Sequence, residues 1–162
     1  MTSVHFLRHG LAEERETWSG DDSQRPLTEK GKKKLVTLAG VLRDLNLNLD
    51  LILTSPYLRA AQTAEIVAQE LGIPDILLED SRLEPGFSEQ ELAAILNDHA
   101  DAKSIMLVGH EPDFSETVSA LIGGGRLIFK KAGLACVEMI SLSPPQGELV
   151  WLVPPRLFVK DL

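Results

Sequence analysis

Apolar positions follow two rhythms along the chain. Short, nearly unbroken runs at Val4 to Leu7, Leu51 to Thr54 and Ile105 to Val108 suit strands covered on both faces, because a strand buried on one face alternates instead. Between them apolar residues recur every three or four positions: Leu35, Leu38, Leu42 and Leu45; Ala60, Ala64, Val67, Ala68 and Leu71; Leu92, Ile95 and Leu96; Phe114, Val118, Leu121 and Ile122. That spacing predicts helices with those residues on their inner faces. Thr28 can cap the first helix, and Ser55 as N-cap with Pro56 as first helical residue opens the second. Ser88 and Glu91 form a capping-box pattern for a helix over about 88 to 99. The fourth helix begins near Pro112 and stops at Gly123-Gly124-Gly125. Ile76 to Leu78, Ala135 to Ser141 and Glu148 to Val153 read as further strands, the last two joined through Pro144-Pro145-Gln146-Gly147.

Strands that alternate with helices argue for a three-layer α/β/α fold around a mostly parallel sheet, with ligands beyond the carboxyl ends of the strands. The first run ends at Arg8-His9-Gly10, the second at Ser55, and the run from Ile105 at Gly109-His110. Arg59 falls in the first turn of the second helix. Residues 11 to 26, charged and without a period, read as a surface loop bordering the same sheet edge.

At 162 residues, with no repeat, low-complexity tract or linker, the chain fits one domain over 1–162. Its 24 acidic and 16 basic residues give a net charge of −8, which repels nucleic acid. No apolar run approaches the roughly 18 residues of a membrane span. The single cysteine, Cys136, cannot form an internal disulfide, and the start MTSVHFLRHG lacks the pattern of a signal peptide, so a cytoplasmic location is expected.

The candidate chemistry lies at the strand ends. Arg8, His9, Arg59 and His110 together suit a doubly charged phosphoryl group: arginines fork around its oxygens, and a helix N-terminus adds oriented amides. An imidazole can attack phosphorus directly, splitting hydrolysis into phosphorylation of the enzyme and attack by water. His9 must be neutral to begin, and cationic neighbours favour that state. No metal or other cofactor is needed.

The residues Leu7-Arg8-His9-Gly10, Ser55-Pro56 followed by Arg59-Ala60 and Gln62-Thr63, and Val108-Gly109-His110 resemble the histidine phosphatase superfamily, which is phosphoglycerate mutase-like in fold. Within it the chain is similar to the short SixA-type phosphohistidine phosphatases, which share the Arg25-Pro26-Leu27-Thr28 and Gly31 pattern. The resemblance runs from about residue 4 to residue 114. It implies His9 as nucleophile, Arg8 and Arg59 as phosphoryl ligands, and His110 as a second, protonated donor. It also implies a phosphohistidine protein as substrate, such as a phosphotransfer domain, and hence a part in signal transduction.

Further positions have two readings each. Glu84 resembles the general acid of mutase-like members, which would admit small phosphate esters, and equally reads as a loop acid before Pro85-Gly86. Arg25 reads as a cover over the pocket or as a solvated loop residue. Ser55 is a candidate substrate contact or a helix cap. His5 and Cys136 read as core residues, and His99 as the end of a helix. A non-catalytic phosphate-binding module and a metallohydrolase using His9, His110, Glu111 and Asp113 are the remaining rivals, although the chain has no HExxH pattern.

Overall fold

The computed structural model describes residues 1–159. Six strands and four helices alternate over most of the chain: β1 Thr2–Arg8, α1 Glu29–Asp44, β2 Leu51–Thr54, α2 Leu58–Glu70, β3 Leu77–Glu79, α3 Glu89–Asp98, β4 Ser104–Gly109, α4 Asp113–Leu121, β5 Leu134–Leu142 and β6 Pro145–Val153. They form one sheet in the order β3-β2-β4-β1-β5-β6. The β3/β2, β2/β4 and β4/β1 pairs are parallel, whereas β5 runs antiparallel to β1 and β6 antiparallel to β5. Helices return the chain between the parallel strands, while Ser143 and Pro144 turn directly from β5 into the antiparallel β6.

Alternation along each strand sends one set of side chains to each face. Val4, Phe6, Ile105 and Leu107 pack with α3 and α4 through Leu92, Ile95, Phe114 and Val118. Leu7, Ile52, Met106 and Val108 pack with α1 and α2 through Leu35, Leu38, Ala64 and Val67. These two apolar layers hold β1 and β4 in a fixed register, Arg8 opposite Gly109. Truncating a fully buried side chain such as Leu35 to alanine costs about 2–5 kcal/mol.

Several boundaries differ from the sequence reading. Leu45 is not an inner-face residue: it caps the end of α1 and is 63% exposed. Ser55 and Pro56 precede α2 rather than opening it, and Tyr57 is the N-cap, with no side-chain capping bond. The Ser55 hydroxyl is turned toward β4 instead, which leaves the helix to start two residues later than a capping serine would place it. Ile76 closes a short 3-10 turn before β3, and Ile122 caps α4, half-buried at the margin of the core. The expected caps at Thr28 and Ser88 are formed, the second with Glu91 completing the box.

Candidate active site

The parallel register places the ends of β1, β2 and β4 side by side. His9 follows β1 and His110 follows β4, with ring centroids 5.5 Å apart. Both are buried, at 7% and 3% exposure. Gly109 permits this on the β4 side: a Cβ there would stand 2.7 Å from the Phe114 ring, so any side chain would displace α4 or the strand end. On the β1 side the Gly10 amide donates to Thr63 Oγ1 at 3.0 Å, and that hydroxyl donates to the Arg59 carbonyl at 2.7 Å. Thr63 thereby locks the turn after His9 to the first turn of α2.

The two rings are wired in opposite senses. His9 Nδ1 lies 2.8 Å from the Gly10 carbonyl; a carbonyl only accepts, so Nδ1 carries the proton and Nε2 keeps the lone pair. Arg59 Nε donates to that lone pair at 3.3 Å. His110 instead places Nε2 2.8 Å from Ser55 Oγ. The same hydroxyl accepts from the Tyr57 amide at 3.2 Å and has no other acceptor for its own proton among the described residues, which directs that proton to Nε2. The His110 proton then sits on Nδ1.

His110 Nδ1 is buried and has no protein partner among the described residues, and the same is true of Arg8 Nε. Buried donors are rarely left unpaired, and both residues line the cleft together with His9. Arg8 is further held by donation from Nη1 to the Phe129 carbonyl at 2.8 Å.

Electrostatics keep both rings neutral. Burial, followed by the charges of His110, Arg59 and Arg8, outweighs the Gly10 bond and lowers the His9 pKa from 6.5 to about 3. Burial, then Arg59, takes His110 to about 3 as well. In the protein by itself, desolvation and the neighbouring arginines thus favour the neutral form of His110. The guanidinium pKa values of Arg8 and Arg59 are lowered chiefly by burial, with Glu111 and Asp22 respectively acting against the shift.

The cleft above these groups has a volume of about 1020 Å³ and is lined by Arg8, His9, Arg25, Arg59 and His110 among others. Arg25 is buried in its wall, donating from Nε to Asp22 Oδ1 at 3.0 Å and from Nη1 to the Glu13 carbonyl at 2.7 Å. Ser55 is fully buried behind His110 and lines no part of the cleft, so it acts on a ligand only through that ring. Glu84 follows the 3-10 turn Ser81–Leu83. The next residue, Pro85, borders the cleft whereas Glu84 does not.

Asp22 is the participant that sequence reasoning missed. It accepts from Arg59 Nη2 at 3.1 Å through its carboxylate and from Arg59 Nη1 at 2.9 Å through its carbonyl. Burial pushes its carboxyl up, but the bond and charge of Arg25 and the charge of Arg59 win, holding it below its usual range. Tyr57 stands edge-on to His110 and beneath the Arg59 guanidinium, 5.2 and 5.1 Å away. Its aromatic identity beside Ser55-Pro56 was the available signal. Among the described residues no group of three or more His, Cys, Asp and Glu converges as a metal-ligand set, so Glu111 and Asp113 do not join the histidines in one. The Glu111 carboxylate accepts instead from the Ser115 amide, and that of Asp113 from the Gly86 amide.

Fold and site together define an enzyme of the phosphatase class. The chain belongs to the histidine phosphatase superfamily, whose branch 1 profile matches residues 4–95. It is 39% identical over 137 residues to an uncharacterised protein of Picosynechococcus, covering 81% of each chain. It is 30% identical over 125 residues to the phosphohistidine phosphatase SixA of Escherichia coli, covering 75% of this chain and 74% of that one. The structure of the protein histidine phosphatase SixA complexed with tungstate superposes with a TM-score of 0.86 at 27% identity, covering 98% of this chain and all of the other.

Proposed function

We propose that the protein is a metal-independent phosphatase that hydrolyses phosphohistidine on a protein, with His9 as the transient carrier of the phosphoryl group. His9 Nε2 attacks phosphorus as the bond to the substrate imidazole breaks, its electron pair staying on the departing nitrogen. The second ring nitrogen of that imidazole, protonated in the substrate, lets it leave neutral. Water then attacks phospho-His9, the electron pair returns to Nε2, and the proton of the water passes to the released phosphate. Arg8, Arg59 and the Nδ1 proton of His110 stabilise the equatorial oxygens in both steps, while Arg25 closes the wall. A cytoplasmic setting belongs to the same proposal and rests on the lone, buried Cys136.

The observation that carries the choice of substrate is the placement of Glu84 outside the cleft wall. Cleaving a phosphate ester needs an acid to protonate a poor alkoxide leaving group; a protonated imidazole leaves without one. The similarity to SixA supports the same choice. The alternative, a small-molecule phosphomonoesterase or mutase, requires Glu84 to swing inward as general acid.

The two readings separate by kcat/KM on a histidine-phosphorylated phosphotransfer domain and on a panel of small phosphate esters, for the wild type and for Glu84→Gln. Preference for the protein, with Glu84→Gln unchanged, is expected. An ester preference that collapses in Glu84→Gln would reject phosphohistidine as the substrate.

A further inference from the structure

The two rims of the cleft carry opposite charge. On one side Glu13, Glu14 and Glu16 outnumber Arg15. On the other, the loop between α4 and β5, residues 123–131, holds Arg126, Lys130 and Lys131 and no acidic residue, in a chain whose net charge is −8. Lys131 lines the cleft itself, while Arg126 and Lys130 are exposed beside it. Ile128 stands between them, 73% exposed. An isolated exposed apolar residue needs no explanation, but this one borders a second hollow of about 600 Å³, shared with Ser115, Glu116, Ser119, Ala120, Arg126 and Leu127.

The hollow and the cleft share no lining residue, but the same two chain segments, the start of α4 and the loop after it, contribute to each. Glu111 and Pro112, just before α4, face the cleft, whereas Ser115 and Glu116 in its first turn face the hollow. The loop forms the other side of both. The loop is tied to residues of the cleft: its Phe129 carbonyl accepts from the Arg8 side chain, and the amide of Ala132, the residue after it, donates to the His9 backbone carbonyl at 3.1 Å. Neither Ile128 nor any other residue of the hollow lines the cleft.

We infer that the loop 123–131 and the adjoining hollow form the docking surface for the phosphorylated partner, a protein that presents acidic residues and an apolar side chain next to its phosphohistidine. Charge complementarity selects this occupant. The acids meet Arg126 and Lys130, the apolar side chain fills the hollow against Ile128 and Leu127, and the phosphohistidine enters over Lys131. The single opposing charge at the hollow is Glu116, while the acidic far rim repels the same partner and so fixes its orientation. The inference rests on the phosphohistidine reading above.

The test uses the full chain carrying Arg126→Glu, Ile128→Asp and Lys130→Glu together, all at exposed positions outside the cleft. Its probes are a histidine-phosphorylated phosphotransfer domain with an acidic face and phosphoramidate, a small P–N compound. The kcat/KM on the protein is expected to fall by about tenfold or more through KM, with phosphoramidate turnover unchanged, which also reports an intact fold. Raising the salt concentration should slow the wild type on the protein substrate alone. Unchanged turnover of the protein substrate would overturn the docking surface, and so would an equal fall on both substrates, which would mean that the loop acts by shaping the cleft. If the wild type itself turns over the protein no faster than small esters, the phosphohistidine reading fails first and the docking surface falls with it.

Discussion

His9 and His110 occupy matching places, one residue beyond neighbouring parallel strands, and both have pKa values near 3. Their chemistry is nevertheless opposite. The Gly10 carbonyl accepts from His9 Nδ1 and leaves the lone pair on Nε2; the Ser55 hydroxyl donates to His110 Nε2 and leaves the proton on Nδ1. Residue type, burial and electrostatics do not separate the two. What separates them is which nitrogen the neighbour engages, so in the proposed mechanism a backbone carbonyl and one hydroxyl assign attack to one ring and stabilisation to the other.

The sharpest way to break the pair is to remove each ring in turn. His9→Gln should abolish the acid-labile phosphoenzyme trapped by rapid quenching and lower kcat by about 10⁴-fold or more. His110→Gln should lower kcat by about 10²–10³-fold, as for loss of one transition-state donor, yet still accumulate phosphoenzyme. Equal phosphoenzyme levels in the two variants would erase the distinction.

The shared depression of pKa has a second consequence. In the unfolded chain each histidine takes up a proton near 6.5, whereas in the folded protein it stays neutral until about 3. Between these values the unfolded state binds more protons, so stability falls as the pH drops below 6.5. The cost is about 2 kcal/mol per histidine at pH 5. Urea unfolding at pH 7 and pH 5 should show this loss in the wild type, reduced by about that amount in either glutamine variant. An undiminished acid loss in both would place these pKa values near the ordinary one.

The gentlest change is Ser55→Ala, which leaves both rings but frees the tautomer of His110. About a tenfold fall in kcat is expected, with little change in KM. The ¹⁵N shifts of His110 should report a mixture of tautomers, and Ser55→Thr should restore both readings. Retention of the single tautomer in Ser55→Ala would show that the hydroxyl does not set it.

The legibility of the site in the sequence followed the same division. The positions of His9 and His110 were readable because uninterrupted apolar runs mark strands buried on both faces, and the polar residues at the end of such a run must surface at the sheet edge. Arg59 was readable from its distance to Ser55 along the chain. Their wiring was not. Ser55 looks like a helix cap until β2 and β4 are known to lie side by side, for only that adjacency offers its hydroxyl to a histidine 55 residues away. Asp22 was hidden for a different reason: it is one acid among several in a loop without periodicity, and its meeting with Arg59 depends on how that loop folds back. The loop is held there by the donation of the Leu27 amide to Gln62 Oε1, a contact that no local pattern encodes. Along the sheet, the strand-helix alternation marked the parallel part, while the direct turn into β6 set the antiparallel edge.

The two bonds that tie the loop 123–131 to Arg8 and His9 have a meaning for how the protein breathes. Because the Ala132 amide donates to the His9 carbonyl and the Phe129 carbonyl accepts from Arg8, the loop cannot lift without loosening the Arg8 side chain and the His9 backbone, which the proposed function assigns to phosphoryl binding. Local opening and ligand occupancy are therefore one linked equilibrium: an anion held by Arg8 slows deuterium uptake at Ala132, and a partner that quiets the loop tightens the grip on its own phosphoryl group by the same factor.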